Sequence, residues 1–132
     1  MKKLLGFILI FCGLLFMGCK KKDQLTFVYE IKTSVPVVAP YTRVITKTGL
    51  GTQETSEPFS AGTVWTKTEV TDTEYRPIVL IMNAQNIYLT SAGTVTVSIS
   101  VNGAVQSSAS FPATAIGGQF SANTSAVTYT VQ

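Results

Sequence analysis

The sequence predicts an all-β fold, an antiparallel, immunoglobulin-like β-sandwich of about seven to nine strands, and three observations predict it. From Leu25 onward Thr, Val and Ser dominate, and no window keeps a helical period. Thr94 to Val101 alternates Val95, Val97, Ile99 and Val101 with hydroxyl side chains, the pattern of a half-buried antiparallel strand. Turn residues punctuate the chain at spacings of roughly 8–12 residues, which is sandwich grammar.

Each strand has its own signal. Thr26 to Thr33 sets Phe27, Tyr29 and Ile31 against Glu30 and Lys32. Tyr41 to Thr48 and Thr52 to Pro58 flank Gly49-Leu50-Gly51, a hairpin turn. Thr63 to Thr71 is rich in Thr and Val around Trp65. Ile78-Val79-Leu80-Ile81-Met82 is a continuous apolar run, expected of a strand buried on both faces. Asn102-Gly103 follows Val101 directly and suits a two-residue type I′ hairpin, whose central positions both need positive φ. The serine-rich return, Ala104 to Phe111, reads as an edge strand. Phe111-Pro112 through Phe120 reads as a connecting loop, and Val127, Tyr129 and Val131 share a face of the last strand.

The chain ahead of the strands divides into a signal peptide over residues 1–18 and a lipidated tether over 19–24, with the sandwich over 25–132. Lys2 and Lys3 form a positive start, and Leu4 to Met17 form an apolar stretch interrupted by Gly6 and Gly13. That stretch is shorter than the roughly 20 residues a spanning helix needs. Phe16 does not suit the small-residue pattern of ordinary signal cleavage. Gly18-Cys19 instead resembles the lipobox of bacterial lipoproteins, with Leu15 one step early. Lipidated Cys19 would carry several acyl chains, enough for stable anchoring. Lys20, Lys21 and Lys22 would either attract anionic headgroups at about 1 kcal/mol each or act as a solvated spacer. Cys19-Lys20-Lys21-Lys22-Asp23 also resembles the start of many mature lipoproteins of the Bacteroidota. In that group, charges after the cysteine direct export to the outer face. The expected place is therefore the outer membrane, periplasmic or surface-exposed.

Composition excludes several functions. The net charge of +3 is +4 in the leader and tether set against −1 in the rest of the chain. From Leu25 on, Lys32, Arg43, Lys47, Lys67 and Arg76 face Glu30, Glu54, Glu57, Glu69, Asp72 and Glu74, giving −1. No basic face for nucleic acid is visible. With His at 0, Ser-His-Asp and Cys-His nucleophiles and Cys/His zinc sites are excluded. Cys19 is the only cysteine after the leader, so no intrachain disulfide is expected. No cofactor is expected.

Candidate sites remain. Alternation puts Trp65 with Lys67 and Glu69 on what reads as the wet face, opposite Val64, Thr66, Thr68 and Val70. An exposed Trp65 would be a partner contact together with Lys67; a core tryptophan is the alternative. Tyr41 and Arg43 are weaker contact candidates. Glu69, Asp72 and Glu74 offer oxygens to Ca²⁺, but without the spacing or glycine of a tight loop they read as a solvated turn. The same acids are the only candidates for a glycoside-acting pair, which the sequence disfavours.

Several segments resemble the MmpS family. They are Val28-Tyr29-Glu30-Ile31, Glu57-Pro58-Phe59 through Val64-Trp65-Thr66-Lys67, Val79 to Asn86, and Gly93 to Gly103. The resemblance covers residues 27–110. It implies a small extracytoplasmic β-sandwich that accompanies a large RND-type transporter. The chain departs from the family in carrying a lipobox where a membrane helix is usual, in lacking a cysteine pair, and in separating Pro58 from Trp65. The expected function is that of a lipid-anchored envelope protein acting as a non-catalytic binding or structural module. A transporter accessory subunit is the alternative.

Overall fold

The computed structural model describes residues 23–38, 43–49, 55–59, 61–72 and 76–132. The leader, Cys19, Tyr41 and Glu74 lie outside the described residues. The described residues form eleven strands: β1 (Gln24–Val37), β2 (Arg43–Thr48), β3 (Thr55–Pro58), β4 (Gly62–Asp72), β5 (Ile78–Gln85), β6 (Ile87–Leu89), β7 (Thr94–Val101), β8 (Ala104–Pro112), β9 (Thr114–Ile116), β10 (Gln119–Ala122) and β11 (Val127–Val131). All strand pairings are antiparallel, in two sheets. The first runs β8-β7-β1-β6-β10-β9, with β4 on the other edge of β1; the second runs β11-β5-β2-β3. β1 pairs with β4 and β2 with β5, so consecutive strands interleave between the sheets, as in a Greek key.

The predicted alternation fills the space between the sheets. Phe27, Tyr29 and Ile31 of β1 and Val95, Val97 and Ile99 of β7 are fully buried. They share one core with Val44 of β2 and Ile78, Leu80, Met82 and Ala84 of β5. Each large apolar side chain removed from water contributes about 1.5–3 kcal/mol. β5 corrects the expectation of burial on both faces. Val79, Ile81 and Asn83, on its other face, are only half-buried. The strand is central in its sheet, but no layer fully covers that face.

The Asn102-Gly103 hairpin forms as expected, with φ of 49° and 82° at its two central residues. Asn102 locks this turn onto β1: its N–H donates to the Thr26 carbonyl at 2.8 Å, and its Oδ1 accepts from the Thr26 N–H at 3.0 Å. The stretch from Phe111 to Phe120 is not a plain loop. β8 runs on to Pro112, and β9 and β10 pair around Gly117-Gly118, whose φ values are 58° and 82°. This hairpin and the three-residue β6 carry the strand count past nine.

β6 and β7 follow the same edge of β1. Val37 pairs with Leu89 and Thr33 with Val95, so four steps along β1 are matched by six along its partner. The extra residues bulge at 90–93, and Gly93 permits the close approach there. A Cβ on Gly93 would lie 2.6 Å from Ser34 Oγ, 3.0 Å from Val35 Cγ2 and 3.2 Å from Leu89 Cδ1. Ser34 Oγ cannot swing aside freely, because it accepts the Thr94 N–H at 2.9 Å. Gly93→Ala should therefore destabilise the domain by about 1–2 kcal/mol through overpacking. A thermal melt followed by circular dichroism checks this, and an unchanged midpoint would show that the bulge relaxes freely.

Candidate functional site

A polar cluster lies between the sheets where two edge strands face each other. β4 closes one side of the first sheet and β3 closes the second. Packed sheets sit about 10 Å apart, so their paired edges leave a slot open to water. The period of two along β4 sends Trp65, Lys67 and Glu69 into the sandwich and leaves Val64, Thr66, Thr68 and Val70 exposed. The sequence grouped these faces correctly but exchanged wet for dry. Trp65 is half-buried and packs against the core beside Ile31, its neighbour on β1. It is not the open anchor that a wet face implied.

Lys67 spans the slot. Its Nζ lies 3.0 Å from Glu57 Oε1 on β3 and 3.0 Å from Glu69 Oε1 on its own strand. It also donates to Thr55 Oγ1 at 2.5 Å and Thr46 Oγ1 at 3.2 Å. Thr46 and Thr55 share a hydrogen bond of 2.8 Å, which ties β2 to β3 beneath the ammonium. Its aliphatic stem covers apolar surface while the head finds four oxygens. Burial by itself would lower the Lys67 pKa. Hydrogen bonds and Coulomb attraction from Glu57 and Glu69 outweigh it and hold the pKa above the usual lysine value.

The network continues inward. Glu69 Oε2 accepts a short hydrogen bond from Thr48 Oγ1. The Tyr29 phenol lies 2.5 Å from Thr48 Oγ1 and 3.0 Å from the Lys47 carbonyl, and its single proton is shared between these two oxygens. Tyr29 is fully buried, and burial pushes its pKa up to about 12. The Thr48 hydrogen bond opposes that rise and the charge of Glu69 adds to it. Thr46, Thr48, Thr55 and Glu69 line a cleft of about 150 Å³ beside these groups. Lys67 is thus held as a cation between two carboxylates, with its proton retained; it is not poised as a base or nucleophile.

The other sequence candidates are dispersed. Arg43 opens β2, exposed, opposite Pro58 and Gln85. Glu69 and Asp72 stand three residues apart on one strand and so take opposite faces; Asp72 accepts a hydrogen bond from Gln24 instead. Among the described residues no group of three His, Cys, Asp or Glu side chains converges as a metal site. A second hollow, of about 170 Å³, lies at the far end of β1, lined by Val38, Tyr88, Leu89 and Phe120 among others, with no charged side chain. Thr46, Thr48 and Thr55 were not singled out in the sequence. Their signal was available only as hydroxyls at inward positions of β2 and β3, which alternation does not mark as polar contacts.

No family model, curated protein or solved structure matches the chain.

Proposed function

We propose that this chain is a lipid-anchored protein of the cell envelope, held through Cys19 at the outer membrane, where it acts as a non-catalytic binding or structural module. The observation that carries the non-catalytic part is the closed Glu57-Lys67-Glu69 cluster. Its ammonium is committed to four oxygens. Its carboxylates are committed to that ammonium and, for Glu69, to Thr48 as well. Charge spent on joining two sheets supports a scaffold whose work is done by its surface. Placement supports the anchor: β1 begins at Gln24, five residues after Cys19. At roughly 3.3–3.6 Å per residue, such a tether keeps the domain within about 18 Å of the anchored cysteine.

The test is metabolic labelling with radioactive palmitate together with Cys19→Ala. The parent chain should take up label and stay with membranes through an alkaline wash, and the variant should do neither. A parent chain without label, or a variant that survives the wash, removes the anchor. The transporter-accessory reading is second. It is favoured by one contact: Val28–Ile31 of β1 lies directly against Val97–Ser100 of β7, so two segments that carry the MmpS resemblance are neighbours in one sheet. Crosslinking in native membranes with a tag after Gln132 separates the readings. Reproducible capture of one large multi-spanning protein supports the second; capture no better than a lipidated control leaves the first.

A further inference from the structure

The geometry points to a second copy of this chain as the partner of β4, joined edge to edge across a two-fold axis through Thr68. β4 is 11 residues long, and among the described residues it pairs with β1 alone. Its other edge offers a row of backbone donors and acceptors to an incoming strand.

Inward charge on an edge strand usually repels such a neighbour, because the added strand lays its own side chains over that charge. Here the charges select a register instead. In a two-fold antiparallel pair, residues that face each other must lie on the same face, so the axis passes through a residue. An axis through Lys67 sets two lysines against each other, and one through Glu69 sets two glutamates. An axis through Thr66 leaves Lys67 against the partner's Trp65 and Glu69 against the partner's Thr63. An axis through Thr68 sets Lys67 against the partner's Glu69 and, by symmetry, Glu69 against the partner's Lys67. Registers centred further out pair fewer residues. Only the Thr68 axis gives opposite charges at both inward positions, and like charges directly opposed are destabilising.

The outer face agrees. Val64 and Val70 are 51% and 55% exposed, large apolar side chains on the free edge strand. In the Thr68 register Val70 lies opposite the partner's Thr66 and one diagonal step from the partner's Val64. Val70 is then covered by the partner's Thr66 and the partner's Val64. Val64 is covered by the partner's Val70 on the diagonal, with the partner's Asp72 directly opposite, and Thr68 meets the partner's Thr68. The axis stands normal to the sheet, so it keeps both copies of Gln24 at one height. Gln24 pairs with Asp72, four residues from the axis, so each tether leaves about 13 Å along the strand from the centre. Two chains anchored in one membrane can adopt this arrangement, although the pairing itself does not depend on the anchor.

Single cysteines test it in the full chain, in bacterial membranes, under mild oxidation. Directly opposed residues of an antiparallel pair have Cα atoms about 4.5–5.5 Å apart, within disulfide reach. Thr68→Cys should give a reducible band at twice the mass, several-fold stronger than the parent chain. Thr66→Cys and Val70→Cys should each stay at the parent level, and should join when the two variants are produced together. No Thr68→Cys band above the parent, or equal bands from all three single variants, overturns the proposal. So does a Thr66→Cys band without a Thr68→Cys band, which would mean another register. A reducible dimer of the parent chain would report a free thiol at Cys19, or at Cys12 of a retained leader, and so count against the anchor alone. Repeating the series with Cys12→Ala and Cys19→Ala combined then decides the β4 contact by the same criteria.

Discussion

Lys67→Met should lower the stability of the domain by about 2–3 kcal/mol and its thermal midpoint by roughly 10 °C. Methionine keeps the length and packing of the stem and removes the ammonium. Glu57 and Glu69 then face each other across the slot without the cation that both now hold at 3.0 Å. Breaking a fully buried pair costs about 3–5 kcal/mol. The figure is smaller here because the Glu57 side chain is 43% exposed and water screens its share. Two neutral hydroxyls, on Thr46 and Thr55, also lose their donor. Glu69→Gln in the same background should restore part of the loss, since one of two opposed charges is gone. Urea unfolding of wild type, both single variants and the double variant gives the coupling directly. A Lys67→Met variant within about 0.5 kcal/mol of wild type would make the cluster a surface feature of no structural weight.

That cluster also explains which parts of the structure were legible in the sequence. Strand alternation was strong wherever apolar and polar residues sort cleanly. β7, its Asn102-Gly103 turn and the serine-rich edge β8 all stand where the pattern put them. The inward face of β4 was misread because binary patterning sends charge to water. Lys67 and Glu69 reverse the rule, since Lys67 is neutralised across the sheets by Glu57 and along its own strand by Glu69, and Glu69 also accepts from Thr48 of the other sheet. Val64 and Val70 point outward as a consequence, and nothing local to them announces it. β1 was predicted to end at Thr33 but runs to Val37, through Pro36. Proline removes a ladder donor, yet Pro36 sits where the neighbouring strand changes from β7 to β6, and its carbonyl accepts the Thr90 N–H at 3.1 Å. The switch of partner is a tertiary event, invisible in a window of eight residues. The candidate site was legible only in part. Lys67 and Glu69 were named, but for contacts with a partner or an ion, and the hydroxyls that complete the network were not.

The network also fixes how the domain fails in alkali. The Tyr29 phenol ionises near 10.0 in an unfolded chain and near 12 in the folded one. Between those values the unfolded chain gives up its proton while the folded one keeps it, so rising pH favours unfolding. Stability from this source is intact below pH 10 and is lost as pH climbs towards 12, by an amount on the order of 2–3 kcal/mol. Lys67 acts in the same direction. Its pKa is raised on folding, so its contribution holds below the ordinary lysine value and fades as pH passes the raised one. Urea midpoints should therefore be flat from pH 8 to about 9.5 and fall steeply beyond pH 10. Tyr29→Phe separates the two groups. It costs about 1–2 kcal/mol at pH 8, because the Lys47 carbonyl and Thr48 lose a hydrogen-bond partner. Above pH 10 its curve should fall less than that of wild type, since the buried phenol is gone and only Lys67 remains. Ultraviolet titration of the folded protein should show one phenol ionising near pH 12 that disappears in the variant. If both proteins lose stability in parallel through pH 11, ionisation of Tyr29 is not what opens the sandwich, and the slot at Lys67 is where alkali enters.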